Sequence, residues 1–204
     1  MSQFFVIHPT HPQPRLIREA ANIILKGGII IYPTDSTYAI GCQLENKNAL
    51  ERIRQIRQLD DMHHFTLICR NLSELATYAR VDNIAFRLLK ANTPGPYTFI
   101  LKATKEVPKR LLQPKRNTIG LRVPDNVVVQ ALLKELGQPL MSTTLTLPEQ
   151  IEPFIDGQDI YDQLGNRVDL VIDGGSCSQS TTTIVDLVEG MPKIIRQGKG
   201  DLIT

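Results

Sequence analysis

Apolar residues recur every three or four positions across residues 15–26 and then form a short continuous run at 29–32. The first pattern predicts an amphipathic helix, and Lys26 followed by Gly27 is a typical helix end. The second run is β-branched and bounded by glycine and proline, so it predicts a buried strand. The helical spacing returns at residues 48–57. The chain therefore alternates between helices and strands from its beginning.

The same two patterns continue to the end of the chain. Further strands are predicted at residues 4–7, 65–69, 97–103, 118–123, 139–143 and 168–172. Short helices are predicted at residues 72–78, 84–90 and 127–136. Residues 182–188 and 193–196 flank a glycine-containing turn and predict a terminal hairpin, while the weakly patterned stretch 147–165 predicts a mobile loop. Helices interleaved with strands predict one α/β domain with a mixed sheet.

The composition is that of an ordinary globular protein. The chain has 204 residues, of which 42% are hydrophobic and 22% charged, so it can bury a sizeable core and is not expected to be disordered. Its apolar runs are too short to span a bilayer, and its first residues lack the pattern of a signal peptide. Three widely spaced cysteines favour a reducing compartment. We therefore expect a cytoplasmic protein without a membrane partner.

Positive charge is concentrated in one segment. Between Lys102 and Arg122 seven basic residues stand against Glu106 alone, a local charge of +6 in a chain whose net charge is +2. Such a segment suggests a polyanionic partner, either nucleotide phosphates or nucleic acid. The candidate nucleic-acid contacts in it are Lys109, Arg110, Lys115 and Arg116. They lack interleaved aromatic residues, so a solvated rim is the alternative interpretation.

The usual nucleotide and metal motifs are missing. The sequence contains neither a P-loop nor a Gly-x-Gly-x-x-Gly motif, and the adjacent pair His63 and His64 lacks zinc-ligand spacing. We therefore predict no metal site and interpret the histidines as a surface pair. Hydroxyl-bearing residues instead follow the strand at 29–31, where α/β proteins place functional loops. These residues would bind a small polar substrate, or alternatively Asp35 and Ser36 would cap a helix.

The stretch GIIIYPTDSTYAIGC at residues 28–42 resembles the signature of the YrdC-like family. Further similarities follow in the family's order: PGPYTFIL at 94–101, TIGLRVP at 118–124, PLMST at 139–143, TTIVD at 182–186 and RQG at 196–198. These collinear segments cover residues 14–200, which we interpret as a single YrdC-like domain. The resemblance implies the YrdC/RibB-like fold, a twisted sheet with a basic concave face.

The resemblance also implies an activity. Members condense L-threonine, bicarbonate and ATP into threonylcarbamoyl-adenylate with release of pyrophosphate, the first step toward threonylcarbamoyladenosine in tRNA. ATP would then be a substrate, Mg²⁺ is expected to be required, and no permanently bound cofactor is implied. The alternatives are a protein that binds double-stranded RNA or tRNA without robust synthase activity, and a related carbamoylation of another amino acid.

Site residues follow from the same resemblance. The residues implied for threonine and its carbamate are Thr34, Ser36, Tyr38, Thr66, Arg122 and Thr182. Those implied for the nucleotide are Arg57, Thr118, Ser142, Thr144 and Arg196. No acid–base residue is assigned, because phosphoryl transfer depends mainly on positioning and charge neutralisation. Strand alternation places Arg122 on the face of Thr118 and Gly120, which is either ligand-facing or simply solvent-exposed.

Three departures from the family pattern resemble its YciO branch. Arg57-Gln58-Leu59 stands in place of Lys-x-Arg, so the second cation is lost. His64-Phe65 replaces a Pro-Leu step, and Thr144-Leu145-Thr146 replaces Ser-Ala-Asn. Losing one phosphate-directed charge-assisted hydrogen bond costs on the order of 2 kcal/mol, so weak synthase activity is expected. Leu59 and Leu145 would abolish it if they blocked the cleft.

Overall fold

The aliphatic and β-branched runs pair into one continuous ten-stranded sheet in the computed structural model, which describes residues 2–60 and 62–204. The strands are β1 (Gln3–Val6), β2 (Ile30–Tyr32), β3 (Ala39–Gln43), β4 (Thr66–Ile68), β5 (Tyr97–Lys102), β6 (Thr118–Arg122), β7 (Leu140–Thr144), β8 (Leu170–Asp173), β9 (Thr183–Asp186) and β10 (Lys193–Arg196). Their order across the sheet is β1-β8-β2-β3-β7-β4-β6-β5-β9-β10. Both parallel and antiparallel pairs occur along it, so the predicted mixed sheet is confirmed.

Helices connect and cover the strands. They are α1 (Pro14–Leu25), α2 (Lys47–Arg57), α3 (Leu72–Tyr78), α4 (Asn83–Asn92), α5 (Val127–Leu136) and α6 (Gly157–Leu164). The side chains of Asn46 and Asn126 accept first-turn N–H groups of α2 and α5, as good N-caps do. Gln58 ends α2 in the left-handed conformation, with φ 52°, and turns the chain directly after Arg57. Across residues 2–60 and 62–204, no helix is long and apolar enough to cross a membrane.

Side-chain alternation gives the sheet two unlike faces. On one face, residues such as Leu67, Phe99 and Leu121 are fully buried in the main core. The opposite face is apolar over β1, β8 and β2, where α1 and α5 pack on Ile30 and Leu170. Over β4, β6 and β5 the same face instead carries glycine and threonine, and it is there that a cleft opens.

Two predictions about loops are wrong. The stretch 147–165 contains α6, whose Ile160 and Leu164 are buried one turn apart; eight residues are too few for a strong periodic signal. The polar segment after β2 leads into β3 and not into a helix, so Asp35 and Ser36 are not helix caps. β3 escaped prediction because Gly41 interrupts its apolar run, although that glycine lets the strand lie close to Met141 of β7. The terminal hairpin of β9 and β10 is confirmed.

Candidate functional site

A cleft of about 220 Å³ lies over the uncovered part of the sheet. Its floor consists of Thr66, Thr98, Ile100 and Gly120. One wall, from the end of α2, the segment before β4 and the end of β7, consists of Arg57, His63, His64, Thr143, Thr144 and Thr146. The other wall, from β9 and β10, consists of Thr181, Thr182, Ile184 and Arg196. This lining offers many hydroxyl groups and, within the described part of the chain, no carboxylate.

Strand register explains how residues distant in sequence share this floor. Thr66 pairs with Gly120 between β4 and β6, and Gly120 pairs with Ile100 between β6 and β5. Directly paired residues point to the same face of a sheet. Gly120 keeps the floor deep, because a Cβ there would lie 2.9 Å from Thr66 Oγ1 and 3.3 Å from Thr98 Cγ2.

Two guanidinium groups stand on opposite walls of the cleft. Arg57 Nε donates to the Thr144 carbonyl oxygen at 2.7 Å, and Arg196 donates to the Thr182 carbonyl oxygen from Nε at 3.2 Å and from Nη2 at 2.9 Å. Neither forms an ion pair with any described residue. Burial lowers the pKa of both groups, but an arginine stays charged in proteins. The cleft therefore holds positive charge that no carboxylate of the described residues neutralises.

Two larger surface recesses differ from the cleft in their charge. A recess of about 680 Å³ is lined by Arg52, which pairs with Asp169 at 2.9 Å. Another of about 630 Å³ is lined by Arg116, which pairs with Asp186 at 2.9 Å. Both recesses thus carry carboxylates in their lining, with Asp162 also in the first and Glu189 in the second, whereas the smaller cleft has none among the described residues. Charge rather than volume therefore singles out the smaller cleft.

A second polar cluster lies at the end of β6, two residues beyond Gly120. Arg122 Nη2 pairs with Asp35 Oδ1, and both side chains are only 8% exposed. Asp35 Oδ2 also accepts from the Asp125 N–H at 2.8 Å, and Lys199 Nζ donates to the Asp35 carbonyl oxygen at 2.6 Å. Arg122 Nε has no hydrogen-bond partner among the described residues. The alternative of a solvent-exposed face for Arg122 is therefore wrong.

The hydroxyl groups of the loop after β2 mainly hold that loop together. Thr34 Oγ1 donates to the Thr37 carbonyl oxygen at 2.6 Å and accepts from the Ser36 N–H at 3.0 Å. Ser36 Oγ lies 3.4 Å from Arg122 Nη2. Tyr38 donates to the Gly175 carbonyl oxygen at 2.9 Å, and burial raises the pKa of its phenol. Of these three residues only Ser36 has a hydrogen-bond contact with Arg122, and none of them lines the cleft.

The structure brings five of the predicted ligand residues together in the cleft lining: Arg57, Thr66, Thr144, Thr182 and Arg196. Ser142 is instead buried and shares a 2.5 Å hydrogen bond with the Tyr32 hydroxyl group. Thr118 is also buried, and its hydroxyl group has no partner among the described residues. Whether these side chains contact ligand stays a prediction.

Leu59 and Leu145 do not close the cleft. Leu145 is fully buried in the main core, and its N–H donates to the Tyr38 carbonyl oxygen at 2.9 Å. Leu59 packs against the same core. The apolar substitutions relative to the family therefore remove polar groups without filling the ligand space.

The basic side chains of residues 102–122 do not line the cleft. Arg110 lies 3.5 Å from Glu45 and donates to the Leu44 carbonyl oxygen, and Arg116 pairs with Asp186. Lys109 and Lys115 are exposed. Two of the four predicted nucleic-acid contacts are thus already paired within the protein, and a nucleic-acid role for the segment stays a prediction.

His63 is a cleft residue that the sequence prediction missed. Its Nε2 lies 2.9 Å from Thr143 Oγ1, and its ring meets Phe65 edge-on with centroids 5.2 Å apart. Desolvation, then the nearby Arg57, lowers the pKa of His63 to about 4, so the ring is neutral at pH 7. The surface-pair prediction is wrong for this residue. Its spacing gave no signal for the cleft, since residues two apart in an extended segment share a face and Phe65 points into the main core.

The fold and the cleft together define a class: α/β proteins whose mixed sheet, flanked by helices, carries a basic, hydroxyl-lined cleft. The Sua5/YciO/YrdC family model, described as Telomere recombination, matches residues 22–198. This chain therefore belongs to the Sua5/YciO/YrdC family. The expectation drawn from the collinear motifs is confirmed.

Individual relatives place the chain within the family. The uncharacterized protein YciO of Escherichia coli (strain K12) is 59% identical over 202 residues, which cover 99% of this chain and 98% of the relative. The E. coli YciO crystal structure superposes with a TM-score of 0.95 at 60% identity, covering 98% of both chains.

Two more distant relatives have informative descriptions. The threonylcarbamoyl-AMP synthase of Vibrio vulnificus (strain YJ016) is 30% identical over 161 residues, covering 78% of this chain and 86% of that protein. P. abyssi Sua5 complexed with L-threonine superposes with a TM-score of 0.89 at 21% identity, covering 97% of this chain. Only 58% of the Sua5 chain is covered, and at this identity the similarity shows the fold alone.

Proposed function

We propose that this chain is a threonylcarbamoyl-AMP synthase-like nucleotidyltransferase, which uses L-threonine, bicarbonate and ATP in a reaction linked to threonylcarbamoyladenosine formation in tRNA. The observation that carries the proposal is the pair of guanidinium groups, Arg57 and Arg196, facing each other across a threonine-lined floor without a carboxylate partner in the described chain. Fixed cations of this kind are what a protein without a P-loop needs to hold a polyphosphate.

The proposed ligand contacts form two subsites, one for the phosphates and one for the substrate carboxylate. The phosphates would lie between Arg57 and Arg196, with hydroxyl groups of Thr144 and Thr182 as further donors. The substrate carboxylate would face Arg122, whose buried Nε otherwise has no acceptor among described residues. Two of the five nitrogen–hydrogen donors of a guanidinium can hold one carboxylate side-on. Asp35 and Ser36 would keep Arg122 in place.

The chemistry balances without a protein acid–base pair. The amine of threonine combines with bicarbonate to give a carbamate and water. A carbamate oxygen then bonds to the α-phosphorus of ATP while the bond to the β-phosphate oxygen breaks, which releases pyrophosphate. Charge grows on that leaving oxygen, and Arg57 and Arg196 are positioned to stabilise it.

Mg²⁺ would enter as the complex with ATP. The cleft lining has no carboxylate among described residues, and the described chain holds no group of three or more histidine, cysteine, aspartate and glutamate side chains suited to a metal ion. Phosphate oxygens of the substrate are the ligands that Mg²⁺ uses in such sites.

The relatives support the choice of reaction. A protein 30% identical to this chain is a threonylcarbamoyl-AMP synthase, and a structure of the same fold was obtained with L-threonine. The identity with the synthase extends over most of both chains.

Purified protein incubated with L-threonine, bicarbonate, ATP and Mg²⁺ is expected to release pyrophosphate only when threonine is present. Serine and valine serve as matched controls, because the first lacks the threonine methyl group and the second replaces the hydroxyl group. Pyrophosphate release with another amino acid alone would make the threonine assignment wrong but keep the adenylate chemistry. No amino-acid-dependent release at high protein concentration would overturn the proposal.

Gly120→Ala is expected to raise the KM for L-threonine roughly tenfold, because a methyl group forced into a filled space typically costs about 1–3 kcal/mol. The added Cβ would press on Thr66 and Thr98 at the cleft floor. Gly137→Ala is the control: that glycine ends α5 with φ 70°, away from the cleft lining, so its replacement lowers stability but not substrate affinity. Steady-state kinetics check the prediction, and an unchanged KM for Gly120→Ala would contradict it.

A further inference from the structure

His63 has one ring nitrogen anchored and one without a partner. Nε2 lies 2.9 Å from Thr143 Oγ1, while Nδ1 has no hydrogen bond to any described residue. The ring lines the same wall as Arg57, and the edge-on contact with Phe65 fixes its orientation. The cleft therefore contains a rigidly held imidazole whose second nitrogen is unused.

We propose that His63 is a third phosphate-facing group of the cleft, which changes from a neutral partner of Thr143 to a cation when a phosphate-bearing ligand lies between Arg57 and Arg196. In the cation both ring nitrogens carry hydrogen, so Nε2 donates to Thr143 while Nδ1 donates to the ligand. This inference rests on the proposed function only in that the cleft takes a phosphate-bearing ligand.

The charges around His63 explain why the change depends on the ligand. Arg57 and Arg54 of α2 and the neighbouring His64 disfavour a proton on the ring, whereas Asp60 favours it, and desolvation is the largest influence. Together they lower the pKa of His63 to about 4. A polyphosphate beside Arg57 would offset that local positive charge and give Nδ1 an acceptor, and both effects favour the charged ring.

Proton uptake on binding makes ligand affinity rise as pH falls. A group whose pKa is higher in the complex than in the free protein strengthens binding at any pH below its pKa in the complex. If the ligand restores His63 to the ordinary histidine value of about 6.5, affinity at pH 5 exceeds that at pH 7 by roughly tenfold or more from this residue alone. The gain belongs to His63 and not to titration of the ligand, so it must vanish when the ring is replaced.

The experiment compares wild type with His63→Gln and His11→Gln. Calorimetric titration with inorganic pyrophosphate, and separately with ATP, is carried out between pH 5 and 7, and the ring pKa of His63 is followed by NMR with and without ligand. Glutamine can keep the hydrogen bond to Thr143, so a purely structural role of His63 would leave the pH dependence unchanged. His11 is an exposed histidine outside the cleft lining and provides the matched control.

We expect the ligand to raise the pKa of His63, which is about 4 in the free protein, by about two units or more. We also expect His63→Gln, but not His11→Gln, to lose the roughly tenfold low-pH gain in affinity. Binding with an unchanged pKa of His63, or a full low-pH gain in His63→Gln, would overturn the inference and leave the proposed function intact. If neither pyrophosphate nor ATP binds wild-type protein at millimolar concentration, the proposed function fails together with the inference.

Discussion

Replacing Arg57 and Arg196 together by glutamine is expected to lower threonine-dependent pyrophosphate release by at least about 1000-fold, since one lost donor to a charged transition state typically costs about 10²–10³ in rate. Glutamine retains a donor for the carbonyl oxygens of Thr144 and Thr182, so the walls should keep their shape. Each single replacement should cost about 100-fold, because residues that act on the same charge are not additive.

Arg18→Gln is the matched control for this charge removal. Arg18 is exposed and lies 3.7 Å from Glu135, outside the cleft lining, and exposed pairs of this kind contribute only about 0–1 kcal/mol. Its activity should therefore stay near that of wild type in the same pyrophosphate assay. A double variant that keeps most of the activity would show that the two guanidinium groups do not hold the phosphates.

Arg122→Met is expected to reduce the free energy of unfolding by about 3–5 kcal/mol, the usual effect of removing one partner of a buried ion pair. Methionine preserves much of the apolar stem of arginine but leaves the carboxylate of Asp35 buried without its counter-charge. Urea denaturation measures the change. The effect follows from burial of both partners, because the same pair on the surface would contribute little.

The double variant Arg122→Met with Asp35→Asn separates charge from packing. Asparagine can still accept from the Asp125 N–H through its side-chain oxygen, while the unpaired negative charge is gone. The double variant should therefore be more stable than Arg122→Met alone. A loss below about 1 kcal/mol in Arg122→Met would show that solvent reaches the pair.

Local pattern was sufficient for most elements. The spacing of apolar residues at 127–136 predicted both ends of α5 correctly, because the buried stripe of the helix and the Gly137 that follows it are both local signals. Alternation at 118–123 correctly placed Ile119 and Leu121 in the core, opposite Arg122. The short helix α6 and the glycine-containing strand β3 were missed, since neither carries enough periodic residues to stand out from loop sequence.

The candidate site was predictable only in part. Motif resemblance pointed to residues such as Arg57 and Arg196, but no local signal showed that they face each other. His63 resembled an ordinary surface histidine, because its partner Thr143 lies 80 positions along the chain. The pairing of Arg110 and Arg116 with carboxylates was equally invisible in the charge count.

The sequence by itself determined the family, most of the alternation of helices and strands, and the side of β6 that enters the core, because periodicity and motifs are properties of neighbouring residues. Only the tertiary structure decided which polar groups meet and which cations remain unpaired. Those outcomes depend on pairing between strands that are distant in the chain, as when Thr66, Gly120 and Ile100 align to form the cleft floor. Whether a cation is neutralised by a carboxylate likewise depends on the distance between them in space, which neighbouring positions in the sequence do not reveal.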